Sequence, residues 1–325
     1  MDVYGVRSPP EMSPRLHTAA VFLIFHGVYL VGPLLCVCAP LYLLGTGRYL
    51  LGLALPLAWV ATFDGSQKKL GKPWPAFAAH PFWAFLFRWF PFTIEKREGL
   101  SLDPAKRYVF CAHPHGAIAL NRACFGFDVD NLWRAAFPGV TFRVLTASAA
   151  FYVPVIREMW LWTYCVDASR KTARAVLAAG HSVLVYPGGE KEQILTRRGK
   201  HVLYLENRRG FVRVALEMGA DMVPMYAFGD TDLFDHWGFG LAFRKFLVAK
   251  FGVAIPLITG SLGLLPHRSP IRVVVGDPVP HNCPDGCPTP DQIAAAHAAY
   301  VAALRALFEK HKARCGHPDA ALVIT

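Results

Sequence analysis

Two histidines, His113 and His115, flank Pro114 and precede Gly116. Imidazole is the one side chain whose unperturbed pKa lies near neutrality, so either ring could take a proton and return it within one reaction. Pro114 fixes the backbone between them, and Gly116 permits a sharp turn and close approach of a substrate. The pair could also ligate a metal, since alternate strand residues share a face. No acidic cluster with ligand spacing accompanies them, which favours a general base. A second turn, Pro187-Gly188-Gly189, leads into Glu190-Lys191-Glu192. A carboxylate there could orient an imidazole and stabilise its cation, and the glycines would let backbone N–H groups approach an oxyanion. A basic run follows, with Lys191, Arg197, Arg198, Lys200, Arg208, Arg209 and Arg213 against Glu190, Glu192 and Glu206. Such a run is suited to a phosphorylated, anionic substrate. The chain contains no G-x-S-x-G, H-E-x-x-H, P-loop or G-x-G-x-x-G sequence, which argues against a serine hydrolase, a zincin and a nucleotide-driven enzyme.

These turns need elements to carry them. Short apolar, β-branched runs predict strands over 108–112, 141–146, 182–186, 222–228 and 271–275, with helices over 169–179 and 205–219 between them. The alternation predicts an α/β fold with a mixed, largely parallel sheet flanked by helices. Both turns then end strands, where open sheets of this class bind their ligands. Thr289-Pro290-Asp291-Gln292 places an N-cap, a first-turn proline and a capping-box glutamine in order, and predicts a helix to about Lys312.

The chain is unusually apolar, with 54% hydrophobic residues over 325 positions. Between 19 and 63 the one charged residue is Arg48. That stretch is about twice the ~20 residues of a single membrane-spanning helix. Gly32, Pro33, Pro40, Gly45 and Gly47 interrupt it, so the expectation is a transmembrane or re-entrant helical hairpin. Arg7 and Arg15 before it, and Lys68, Lys69 and Lys72 after it, place both ends in the cytosol. The expected organisation is a cytosolic tail over 1–18, a membrane hairpin over 19–63, an aromatic segment over 64–106 and a catalytic domain over 107–325. The aromatic segment suits either the membrane interface or a core helix. The net charge of +11 would serve nucleic acid, anionic lipid or a phosphorylated substrate equally. The apolar stretch favours the last two, and no nucleic-acid partner is expected. The eight cysteines form no disulfide framework, and Cys283 and Cys287 beside His281 lack the remaining ligands of a zinc site.

Four ordered blocks between Trp89 and Pro278 resemble the type-2 acyl-CoA:diacylglycerol acyltransferases, a family that also holds monoacylglycerol acyltransferases and some wax synthases. They are Trp89-Phe90-Pro91, His113-Pro114-His115-Gly116, the run from Arg208 through Gly229, and Val274-Val275-Gly276-Asp277-Pro278. The long run usually ends in Glu or Gln, where this chain has Asp230. The resemblance implies a glycerolipid-acyltransferase-like fold and transfer of a fatty acyl group from acyl-CoA to the sn-3 hydroxyl of diacylglycerol. Monoacylglycerol or a long-chain alcohol is the alternative acceptor. A metal-dependent membrane hydrolase and a noncatalytic lipid-droplet protein are weaker readings. The resemblance implies His115 as base ahead of His113, with Gly116 and Glu192 in the catalytic set and Glu190 as second candidate for the carboxylate partner. The Asp found five residues after the histidine in wider glycerolipid acyltransferases is absent, with Ile118 and Leu120 at those positions. Pro114, Gly188, Gly189, Arg208, Arg209, Gly210, Phe211 and Arg213 are the implied substrate-binding residues. The arginines would meet the phosphates of acyl-CoA, the co-substrate. No bound cofactor or metal is implied. The implied location is the endoplasmic reticulum membrane and lipid-droplet surface, with the catalytic domain cytosolic; a homo-oligomer stays open.

Overall fold

A computed structural model describes residues 1–5, 13–83, 88–127 and 132–325. Its centre is an eight-stranded sheet. In chain order the strands are β1 (Asp2–Gly5), β2 (Phe92–Lys96), β3 (Tyr108–His113), β4 (Phe142–Thr146), β5 (Cys165–Asp167), β6 (Ser182–Val185), β8 (Asp221–Phe228) and β11 (Ile271–Val275). The spatial order is β1-β2-β11-β8-β3-β6-β4-β5. From β8 to β5 every pairing is parallel. β11 runs antiparallel to β8 and parallel to β2, and β1 closes the edge antiparallel to β2. The mixed, largely parallel sheet read from the sequence is therefore present. Two short ladders lie outside it: β7 (Val202–Leu203) with β12 (Val323–Ile324), and β9 (Asp235–His236) with β10 (Ile258–Thr259).

Side chains alternate along β3, so the sheet has two apolar faces. Phe110 and Ala112 join one core and Val109 and Cys111 the other. The second core is covered by α4 (Arg170–Ala178), α6 (Gly210–Glu217) and α7 (Pro290–His311). The ends of α7 fall where its sequence signals put them. Thr289 accepts from the Gln292 N–H while the Gln292 side chain accepts from the Thr289 N–H, completing the capping box. The helix expected from 205 begins at Gly210. The residues before it are held instead in a turn, where the N–H groups of Leu205 and Glu206 donate to the Thr325 carbonyl.

The first core takes Trp83, Trp89 and Phe90 from the aromatic segment, together with Val21 and Phe25 from the first helix. The catalytic sheet thus reaches outside 107–325. Its strand β1 lies within the expected tail and β2 within the aromatic segment. Trp74 and Phe82 stay exposed.

Helix α1 (Pro14–His26) continues through a π turn (Gly27–Val31) into α2 (Gly32–Gly45). Together they form one apolar run of 32 residues, long enough by length and composition to cross a membrane. Pro33, just after the π turn, and Pro40 both lie inside the continuous helix without ending it, each leaving a preceding carbonyl without its N–H partner. After Thr46-Gly47-Arg48, α3 (Tyr49–Val60) packs back on α2. A Cβ at Gly52 would stand 2.8 Å from Leu44 Cγ, so glycine permits that approach. The helices of the expected hairpin region are a long one that starts at Pro14 and a short one of 12 residues. Arg7, part of the expected basic flank, lies outside the described residues.

Candidate active site

The carboxyl ends of β3, β4, β5 and β6 open on a cavity of about 720 Å³. His115, one turn beyond β3, lines it. So do Tyr186, Pro187 and Gly189 after β6, and Thr146 at the end of β4. The two histidines part company here. His113 is buried, with Nε2 2.8 Å from the Tyr300 hydroxyl on α7. Burial pulls its pKa down to about 3, so it stays a neutral core residue. The His113–Pro114 peptide is cis, and the His115 ring sits edge-on to Tyr186, centroids 5.4 Å apart. The two rings thus have different neighbours, Tyr300 for His113 and Tyr186 for His115.

The His115 ring has its Nδ1 3.1 Å from the Gly116 carbonyl. A carbonyl can only accept, so Nδ1 carries the proton and Nε2 keeps the lone pair a base requires. Burial lowers the imidazole pKa from its ordinary value, while the Gly116 carbonyl and the Glu190 charge pull it back up. The ring is thus neutral and basic at pH 7.

Glu192 does something other than the role expected of it. Its carboxylate reaches the His115 backbone, not the ring. Oε1 accepts from the His115 N–H at 2.6 Å and Oε2 from the Tyr204 N–H at 2.9 Å. Glu192 is buried on the first turn of α5 (Gly189–Leu195), and burial pushes its pKa up to about 7. It acts as a strut joining three loops. Gly188 makes room for it, since a Cβ there would overlap the Glu192 carboxylate. Gly188→Ala should therefore lower the turnover rate at least about 10-fold, because displacements of an ångström are costly at a reacting centre. Initial rates on membrane-reconstituted protein check this.

Gly116 is constrained in the same way. Its φ is +62°, and a Cβ would overlap the buried Asp230 carboxylate. Asp230 accepts from the Asn121 N–H at 2.8 Å, and the Asn121 side chain donates to the Pro114 carbonyl at 3.1 Å. The Tyr186 hydroxyl donates to Asn121 Oδ1. Burial raises the Asp230 carboxyl to about 7. Asn121, Tyr186 and Asp230 thus hold the histidine turn from below. Sequence reading missed all three as site residues; the one signal was Asp230 directly after the run from Arg208 through Gly229. Gln193 adds a further brace, donating to the Ala117 carbonyl at 2.7 Å.

The basic run divides. Arg208 and Arg209 line the cavity beside Gly210, Phe211 and Arg170. Arg208 donates to the Gly188 carbonyl at 2.9 Å and lies over the Tyr204 ring at 5.0 Å. Arg198 instead pairs with Asp235 at 3.1 Å. Arg213 is exposed on the outer face of α6 and does not border the cavity. The lining also has many apolar groups, with the Arg122 guanidinium among them. Phe25 and Tyr29 come from the long N-terminal helix, joined by Ile118, Val153, Ile156 and Trp160.

A neutral imidazole in a cavity lined by both cations and apolar groups suits group transfer between an anionic, water-borne carrier and a lipid. The comparisons with known proteins agree with a transferase of that class. Residues 41–325 match the diacylglycerol acyltransferase family. A wax alcohol acyltransferase, acyl-CoA wax alcohol acyltransferase 2 from Mus musculus, is 33% identical over 85% of this chain and 86% of its own length. Diacylglycerol O-acyltransferase 2 from Dictyostelium discoideum is 32% identical over 82% and 84%. Human 2-acylglycerol O-acyltransferase 3 is 34% identical over 73% of each chain. The chain belongs to the diacylglycerol acyltransferase family and is an acyltransferase.

Proposed function

We propose that this enzyme transfers a fatty acyl group from acyl-CoA to the sn-3 hydroxyl of diacylglycerol, with His115 as general base. The observation that carries the reading is one cavity whose lining combines Arg170, Arg208 and Arg209, the base His115, and Phe25 and Tyr29 of the apolar helix. Acyl-CoA enters with its phosphates on the arginines. His115 Nε2 takes the proton of the acceptor hydroxyl as that oxygen attacks the thioester carbonyl. The negative charge on the former carbonyl oxygen is met by the Gly116 N–H. The Gly189 N–H is already spent on the Tyr186 carbonyl at 3.1 Å. Collapse of the tetrahedral intermediate breaks the C–S bond, and the imidazolium returns its proton to the departing thiolate. The step needs neither metal nor bound cofactor.

The acceptor reaches the site from the bilayer. The 32-residue helix measures about 48 Å at 1.5 Å per residue, more than the ~30 Å hydrocarbon core. It exposes Leu30, Leu34, Leu35 and Leu41 beyond the part packed on the sheet. Helix α3, at about 18 Å, is too short for a second full crossing, which favours a re-entrant hairpin. Lys68 and Lys69 after it favour a cytosolic catalytic domain on the endoplasmic reticulum membrane or a lipid-droplet surface.

The cation assignment has a direct test. The double variant Arg208→Ala, Arg209→Ala should raise the KM for acyl-CoA about 10-fold or more while changing kcat much less, as loss of uniform binding does. An unchanged KM would remove the arginines from the carrier site.

A further inference from the structure

Resting on that reading, we propose that Arg122 recognises the ester carbonyls of the glyceride acceptor and so sets acceptor specificity. Arg122 closes the turn Leu120–Arg122 and is 7% exposed. It lines the cavity on the side of Phe25, Tyr29 and Trp160, among apolar neighbours. Its neighbours are all neutral. Nη1 donates to the Thr163 hydroxyl at 3.5 Å and to the Cys165 sulfur at 3.0 Å. The guanidinium lies 5.1 Å from the Trp160 ring centroid, with the Tyr29 hydroxyl beside it. The groups that act most strongly on its charge are Cys165, Tyr29 and Tyr186, none of them a carboxylate.

Other buried arginines of the chain show what such a group ordinarily obtains. Arg157 holds Glu158 at 2.7 Å and Asp64 at 3.8 Å. Arg244 donates to three backbone carbonyls, those of Ile255, Trp237 and Phe239. A guanidinium has five N–H donors, and a buried charge without strong acceptors is expensive. Arg122 has two hydroxyls and a sulfur where the others have carboxylates or carbonyls. The open side of its surroundings is the substrate cavity.

The missing acceptor is a carbonyl brought by the lipid. Phosphates are served by Arg170, Arg208 and Arg209, whereas Arg122 stands beside Tyr29 of the apolar helix and Trp160. A diacylglycerol presents two ester carbonyls there, and a planar guanidinium can hold one or both. Tyr186 links this point to the base: its ring contacts His115, and its phenol is close enough to feel the Arg122 charge. A carbonyl held on Arg122 would bring the free hydroxyl of the same glycerol toward Nε2. A site built around such a bond rejects an analogue lacking it far more strongly than an apolar wall could.

The test compares 1,2-diacylglycerol with 1,2-dialkylglycerol, its ether analogue, which keeps the hydroxyl and shape and lacks both carbonyls. Initial rates are measured in vesicles with one labelled acyl-CoA for the wild type, Arg122→Met and Arg122→Lys. The wild type should prefer the ester acceptor by at least about 10-fold in kcat/KM. Arg122→Met should erase that preference, mainly through the KM for diacylglycerol, and Arg122→Lys should restore part of it. The ratio is taken within one preparation, so a reduced folded fraction leaves it unchanged. An indifferent wild type, or an equal fall for both acceptors in Arg122→Met, would overturn the proposal and point to a role on the thioester or in the fold. A wild type inert toward diacylglycerol but active on another acceptor would instead contradict the acceptor reading itself, and the inference with it.

Discussion

Replacing His115 by alanine should cut acyl transfer by about 10²–10⁴, the range that a positioned general base contributes, while leaving membrane association intact. The effect is expected to be this large because the described cavity offers no second base with the same access. His113 is turned into the core onto Tyr300, and burial holds it near pH 3 in its titration. Glu190 also lines the cavity, but in this reading it supplies charge beside the imidazole and does not take the proton. The loss should appear in kcat rather than in the KM for acyl-CoA, whose cationic end is untouched. Burial depresses the His115 pKa, so the acid limb of the kcat/KM profile should fall below the ordinary value of 6.5. His113→Ala provides the contrast, with a loss of stability in place of a loss specific to the chemical step.

The second large effect is expected at Glu192. Its two oxygens serve two backbone donors, the N–H groups of His115 and Tyr204. Glutamine offers one carbonyl oxygen, so in Glu192→Gln one of the two N–H groups must face an amide NH₂. The turn carrying His115 then shifts, and turnover should fall about 10- to 100-fold. The same variant has a signature in stability. The Glu192 carboxyl titrates at about 7 in the folded protein against an ordinary 4.5. The folded state thus holds this proton more tightly than the unfolded state. Its contribution to stability is complete below about pH 4.5 and is lost as pH rises through 7. Glu192→Gln should flatten that part of the pH–stability curve. Denaturant unfolding at several pH values measures the slope, and an unaltered slope would mean that Glu192 is ionised throughout.

How far the sequence discloses this site depends on the range of the interactions involved. Strand β11 falls exactly at 271–275, and α7 follows its capping box, because both signals are local. Both turns at the sheet edge were legible for the same reason: proline and glycine punctuate apolar runs. The strands β1 and β2 were not. β1 has four residues and precedes the apolar helix, and only pairing with β2, some ninety positions later, makes it a strand. The role of Glu192 escaped for a related reason. Its spacing from Gly188 was visible, but whether the carboxylate meets a ring or a backbone N–H depends on how β3 and α5 are set side by side. Asn121, Tyr186 and Asp230 lie on three separate elements and become a network only after folding. Arg122 sits in an apolar run and carries no sequence signal. Its interest comes from what is absent around it.

The central claim is direct transfer from acyl-CoA to a glyceride hydroxyl at His115. The measurement that tests it most directly follows labelled triacylglycerol and free CoA thiol together. Purified wild type and His115→Ala are placed in vesicles containing diacylglycerol and supplied with labelled acyl-CoA. The wild type should release one thiol for each triacylglycerol formed, and the variant should form almost none while remaining in the vesicles. Thiol release without triacylglycerol, or triacylglycerol formed by His115→Ala at the wild-type rate, would contradict it.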